Sequence, residues 1–115
     1  MQSFTGDERR KTLRTHLTTF CPTTFKLGGD VYRALMVDIS ESGARFQYDQ
    51  YVAQIDLNIG AVMQYEIKTP YGLSTCRGKV AWSRHIGDQY TWGIEFIDLS
   101  KDLRDPLVAL MDSSF

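Results

Sequence analysis

The chain has 115 residues, of which 43% are hydrophobic and 23% charged; this is the size and composition of one globular domain and excludes a disordered tail or a fibrous repeat. No apolar run approaches the roughly 20 residues a membrane-spanning helix needs, and the opening MQSFTGDERRKTLR holds no apolar segment that could serve as a secretory signal, so a cytoplasmic chain with no membrane span is expected. Thirteen basic residues against 14 acidic ones give a net charge of −1, which argues against DNA or RNA as a partner held by bulk attraction to phosphate.

The charge is segregated. Four of the 13 basic residues (Arg9, Arg10, Lys11, Arg14) and two of the 14 acidic ones (Asp7, Glu8) fall between Asp7 and Arg14, leaving nine against twelve elsewhere. Residues 1–14 have few apolar side chains to anchor them and read as a flexible N-terminal arginine segment ahead of one domain over 15–115.

From Thr15 onward the dominant period is two. Val31–Val37 is rich enough in β-branched and apolar residues for a strand, and Ala44–Tyr48 follows it after a turn at Ser42-Gly43. Met63, Tyr65 and Ile67 alternate with Gln64, Glu66 and Lys68, so apolar side chains share one face of a sheet. By the same count Cys76, Gly78, Val80 and Trp82 form a second apolar stripe, and Tyr90, Trp92, Ile94 and Phe96 a third. Turn residues separate these runs at Gly28-Gly29-Asp30, Thr69-Pro70-Tyr71-Gly72 and Ile86-Gly87-Asp88. Five or six short strands in so small a chain predict a mainly β fold, a small antiparallel barrel, because closure removes exposed strand edges. At the C-terminus Leu103, Leu107, Leu110 and Met111 recur at helical spacing. Pro106 places the helix start at Asp105-Pro106 with Asp105 as N-cap, after a turn over 101–104.

No catalytic or metal set emerges. Cys21 and Cys76 stand far apart with only His16 and His85 to join them, which is no zinc pattern, and no cofactor is indicated. Cys76 lies in an apolar stripe and reads as a small core residue. There is no nucleophile–His–carboxylate order, paired-carboxylate arrangement or phosphate-binding glycine loop, so an enzyme is not expected. Arg84-His85 reads as an exposed loop.

Two motifs stand out. One is Arg10-x-x-x-Arg14, preceded by Arg9, a pattern that chance supplies readily. The other is Asp38-x-Ser40-x-x-Gly43 between two strands, expected only about 0.05 times by chance at this composition. Alone, the second motif is also ordinary turn chemistry, in which Asp and Ser bond nearby amides. Their order matters, because a Gly-x-Val-x-Trp strand and a Gly-Ile-x-Phe strand come after them.

With these features the sequence resembles the PilZ domain family of cyclic di-GMP receptors, from Glu8 to about Leu110. Glu8-Arg9-Arg10-x-x-x-Arg14 is similar to the family's arginine segment, and Val37–Phe46 to its second motif. Gly78-Lys79-Val80-Ala81-Trp82 and Trp92–Leu99 resemble the strands that close its barrel. The filling Lys11-Thr12-Leu13 departs from the Phe and Pro that many members carry. The resemblance implies a six-stranded antiparallel PilZ-type β-barrel with a short C-terminal helix. It also implies a cyclic di-GMP site made of Arg9, Arg10, Arg14, Asp38, Ser40 and Gly43, with Arg45 either joining it or lying solvated on its strand.

The residue types suit that ligand. A guanidinium can bond guanine O6 and N7, pair with phosphate or stack on a base. A carboxylate such as Asp38 can accept from guanine N1–H and N2–H, and Ser40 offers a short hydroxyl. Gly43 permits positive φ or a close backbone approach. The function implied is a receptor that orders its arginine segment on binding and relays the signal to a protein partner. A PilZ-like protein adaptor independent of nucleotide is the alternative, and a single-stranded nucleic-acid binder would need a basic aromatic groove that the acidic body does not offer.

Overall fold

In the computed structural model, which describes residues 15–49, 55–98 and 105–113, the alternating segments are strands of one closed barrel. They are β1 (Thr15–Leu27), β2 (Asp30–Ile39), β3 (Gly43–Asp49), β4 (Val62–Thr69), β5 (Gly72–Ile86) and β6 (Gln89–Phe96). Their order around the barrel is β1-β2-β3-β6-β5-β4, and each neighbouring pair is antiparallel. The expected six-stranded fold is therefore present. The arginines Arg9, Arg10 and Arg14 lie outside the described residues, as does the turn expected over 101–104.

Turn chemistry sets the register. Gly28 and Gly29 link β1 to β2 with φ of 61° and 89°, left-handed values that strain residues with a side chain and that the tight hairpin turn requires. Between β4 and β5, the Thr69 hydroxyl accepts from Tyr71 N at 3.0 Å and donates to Gly72 O at 2.9 Å. Residues 55–61, which lead into β4, are pinned to the barrel rather than loose. Tyr90 Oη accepts from Leu57 N at 3.0 Å, while Gly60 and Ala61 exchange backbone bonds with Val80 at 2.7 and 2.9 Å.

Inside, the alternation of β4 and β5 buries Met63, Tyr65, Ile67, Cys76 and Val80 on one face. Phe46 and Tyr65 stack with ring centroids 4.9 Å apart, Trp92 stacks on Phe46 at 5.5 Å, and Phe25 meets Trp92 edge-on at 5.3 Å. Burying one such ring contributes about 1.5–3 kcal/mol. The polar atoms among them are satisfied, since Trp92 Nε1 donates to Tyr65 Oη at 3.1 Å.

The helix α1 (Pro106–Ser113) begins where Pro106 predicts. Asp105 Oδ1 accepts from Leu107 N at 2.9 Å, an N-cap bond, and from Ser74 Oγ at 3.0 Å, which ties the cap to β5. Leu107, Leu110 and Met111 are buried, and the helix packs on β4 and β5.

Two sequence expectations need correction. Arg84 and His85 are exposed but belong to β5, not to a loop. Trp82 does not continue the apolar stripe. Val80 pairs with Ile94 and Trp82 with Gly93, so Ala81 is an extra residue that turns Trp82 onto the outer wall, where it is 37% exposed.

Candidate ligand-binding surface

A second irregularity of the same kind lies in β2. Met36 pairs with Phe46 and Asp38 with Arg45, which leaves Val37 as the extra residue. Ala34 and Met36 are buried inward residues, so unbroken alternation would aim Asp38 into the barrel. The bulge instead sets it opposite Arg45, the outward residue between inward Ala44 and Phe46.

The two bulges align one row across four strands. Asp38 on β2 pairs with Arg45 on β3, Arg45 with Gly93 on β6, and Gly93 with Trp82 on β5. Strands stand about 4.8 Å apart, so the row is about 14 Å long. On the far side of Asp38 the register partner is His16 of β1.

At one end of the row Arg45 Nε donates to Asp38 Oδ2 at 2.9 Å. The Asp38 side chain is 0% exposed and that of Arg45 35%; a buried carboxylate needs such a cation, because an unpaired buried charge is strongly unfavourable. At the other end the Trp82 indole lies over Gly93, where a β-carbon would fall 2.3 Å from Nε1. The Arg84 guanidinium stands 5.7 Å from the Trp82 ring centroid, within cation–π range.

The remaining motif residues shape the turn beside the row. Ser40 N donates to Gly43 O at 2.8 Å, and the buried Ser40 hydroxyl accepts from Ser42 N and Gly43 N, each at 3.3 Å. Gly43 is not among the residues with positive φ. It is required by a close approach, though to protein rather than ligand: a β-carbon there would fall 2.0 Å from the Ile94 carbonyl oxygen of β6. The structure thus brings together Asp38, Ser40, Gly43 and Arg45, while Arg9, Arg10 and Arg14 are beyond what it describes.

Reading by residue type missed Trp82 and Gly93 as members of this surface. A glycine inside a strand, as in Trp92-Gly93-Ile94, is the available signal, because it marks a place where another group comes close. Elsewhere, an apolar-walled groove of about 550 Å³, lined in part by Pro22, Leu35 and Leu73, runs further along the outer wall and contains none of the motif residues. The thiols offer no nucleophile. Burial pushes Cys76 up to about 12, with Asp105 and Asp98 adding to it, and raises Cys21 as well.

Comparison with known proteins settles the family. The model of the PilZ domain matches residues 8–113. The chain belongs to the PilZ domain family. Among solved structures, the PilZ domain with c-di-GMP of YcgR from Escherichia coli superposes with a TM-score of 0.73 at 17% identity, covering 93% of this chain and 92% of that one. YcgR in complex with c-di-GMP, also from Escherichia coli, gives 0.74 at 17% identity, with 91% of this chain and 45% of that one covered. The Bacillus subtilis inhibitor of motility, MotI/DgrA, gives 0.73 at 14% identity, covering 94% of this chain and 50% of that one. At such identities these likenesses establish the fold. No curated protein matches the sequence. Among the described residues this PilZ domain has no helix long and apolar enough to cross a membrane and no group of three or more His, Cys, Asp or Glu able to hold a metal ion.

Proposed function

We propose that this PilZ domain is a receptor that binds cyclic di-GMP without turnover and passes the signal to a protein partner. The observation that carries the reading is the transverse row on the outer wall. It joins a carboxylate–guanidinium pair to an exposed indole across a glycine, beside the turn made by Ser40 and Gly43. A guanidinium, a carboxylate, a hydroxyl and an indole are the kinds of group that base, phosphate and stacking contacts to a guanine dinucleotide use. The two YcgR structures, which share the fold, are of proteins with c-di-GMP bound.

In this reading Arg9, Arg10 and Arg14 clamp the nucleotide from the N-terminal side, against a barrel wall formed by Asp38, Ser40, Gly43 and Arg45. Trp82 offers its exposed face to a base. Binding orders the arginine segment over the wall, and the remade surface changes the affinity of a partner. Two charges on a small ligand call for a few arginines in place, which a net charge of −1 allows.

Titration calorimetry of the purified chain with cyclic di-GMP tests the reading. Micromolar binding is expected, and absence of heat with tens of micromolar ligand overturns it. Arg10→Ala should weaken binding by about 1.5–3 kcal/mol, the worth of a charge-assisted contact. Unchanged affinity in that variant would remove Arg10 from the clamp.

A further inference from the structure

Resting on the receptor reading for the existence of a partner, we propose that the groove along β1 on the outer wall is where the partner protein docks, through a segment that combines apolar and acidic side chains. The groove has a structural cause. The outer face of β1 carries the short side chains Pro22 and Thr24, between longer ones on β2 (Arg33, Leu35) and β4 (Glu66, Lys68). The β1–β4 ladder spans Thr23–Phe25 and does not reach Pro22. The wall parts there, and Leu73 of β5 lines the opening. The groove holds about 550 Å³, and a hollow of about 260 Å³ continues it past Thr24 and Glu66 toward Lys26 and Val31. Leu35, Val31 and Leu73 are 36%, 60% and 60% exposed. Exposed apolar side chains gathered round one concavity mark an interaction site, whereas scattered ones do not.

The barrel is closed, so its strands offer no open edge to a partner's backbone and recognition falls to side chains. Charge decides which kind. Outside Asp7–Arg14 the chain carries twelve acidic residues against nine basic ones, yet Lys26, Arg33 and Lys68 surround this groove with Glu66 as the single acid lining it. Arg45, Arg77 and Lys79 are each held by a carboxylate. Lys26, Arg33 and Lys68 have no ion-pair partner among the described residues. A carboxylate carried in beside the apolar floor meets these cations, and such complementarity fixes register and speeds encounter. Glu66 in turn finds donors in the N–H groups of a polypeptide, which anionic headgroups and a nucleic-acid backbone do not supply. Gln47 at the rim stands two residues along β3 from Arg45, so the groove and the Asp38–Arg45 pair share β2 and β3.

A random-peptide library displayed on phage, panned on the full chain with and without cyclic di-GMP, supplies the probe. Selected peptides should combine Leu, Ile or Phe with Asp and Glu, and one of them made synthetically should shift the amide resonances of Thr24, Leu35 and Leu73. Arg33→Glu and Leu73→Ser change exposed residues, so both should keep the parental thermal transition while weakening that peptide at least about tenfold. Panning on the double variant Arg33→Glu/Lys68→Glu should select Lys and Arg in place of the acids. Peptides without acidic residues, unmoved affinity in Arg33→Glu, shifts confined to other strands, or no enrichment would each overturn the proposal. Two other results also overturn it. Binding to phosphatidylglycerol vesicles that both variants weaken, with no peptide enriched, makes the face a membrane contact. Self-association of the parent that Leu73→Ser abolishes makes it a contact between copies. A chain that binds cyclic di-GMP but no such peptide loses the docking face and keeps the nucleotide reading. A chain that binds the peptide and gives no heat with cyclic di-GMP keeps the docking face and loses the receptor reading.

Discussion

The indole of Trp82 rests on the backbone of Gly93. A β-carbon at Gly93 would fall 2.3 Å from Nε1 and 2.6 Å from Cε2, so any side chain there pushes the ring aside. Gly93→Ala should therefore act like a partial loss of Trp82. Both Gly93→Ala and Trp82→Ala should weaken cyclic di-GMP binding by about 1–3 kcal/mol, the range for one base–aromatic stack. Calorimetry measures the loss. An unchanged affinity in both variants would show that the exposed indole face is not part of the site.

Gly43 answers to a different neighbour. Its missing β-carbon leaves room for the Ile94 carbonyl, a backbone atom that cannot rotate away. Gly43→Ala should lower the stability of the ligand-free chain by about 1–3 kcal/mol, as overpacking does, and should do so before any ligand is added. Thermal unfolding reads this directly. A variant with parental stability and lost binding would instead make Gly43 a ligand residue alone.

Asp105 caps α1 and accepts from Ser74 of β5 through the same oxygen. Asp105→Ala removes both bonds and should destabilise the chain by about 1 kcal/mol, within the range measured for lost N-caps. Asp105→Asn, which retains an acceptor, should cost less. Denaturant midpoints of the two variants against the parent decide between them.

The buried thiols set an alkaline limit. The folded-state value for Cys76 is about 12 and its ordinary value 9.0, so the folded chain holds this proton after the unfolded chain has released it. The contribution is complete below pH 9 and is lost as pH rises from there toward 12, at up to about 1.4 kcal/mol per pH unit for one proton. Cys21 and Tyr65, also raised by burial, act in the same direction. Cys76→Ala should flatten the fall of stability above pH 9, measured as the denaturant midpoint against pH. Equal slopes in parent and variant would contradict it.

The parts of the molecule that obey a regular period are legible in the sequence. The alternation through Met63, Tyr65 and Ile67 and through Tyr90, Trp92 and Ile94 gives both the strands and their inward faces, and Asp105-Pro106 marks the helix start. Alternation fails at Trp82, because Ala81 adds one residue without any change in residue type to announce it. Asp38 is located by its motif, whereas counting along β2 from Ala34 and Met36 would send it inward. The ion pair with Arg45 depends on which residues the bulge sets opposite one another, a matter of register rather than composition. The same holds for Gly43, whose reason for being glycine is a carbonyl on a strand more than forty positions along the chain.

Val37 and Ala81 give the two single-residue additions a consequence for how such a surface can arise or vanish. Each resets the alternation by one residue, so that Asp38 and Trp82 face the outer wall where the same sequence paired without the bulge would send a carboxylate or an indole toward the interior. The aromatic interior lies on the other side of both strands. Gain or loss of recognition in this wall can thus proceed through a shift of register, at positions where no recognising residue is itself replaced.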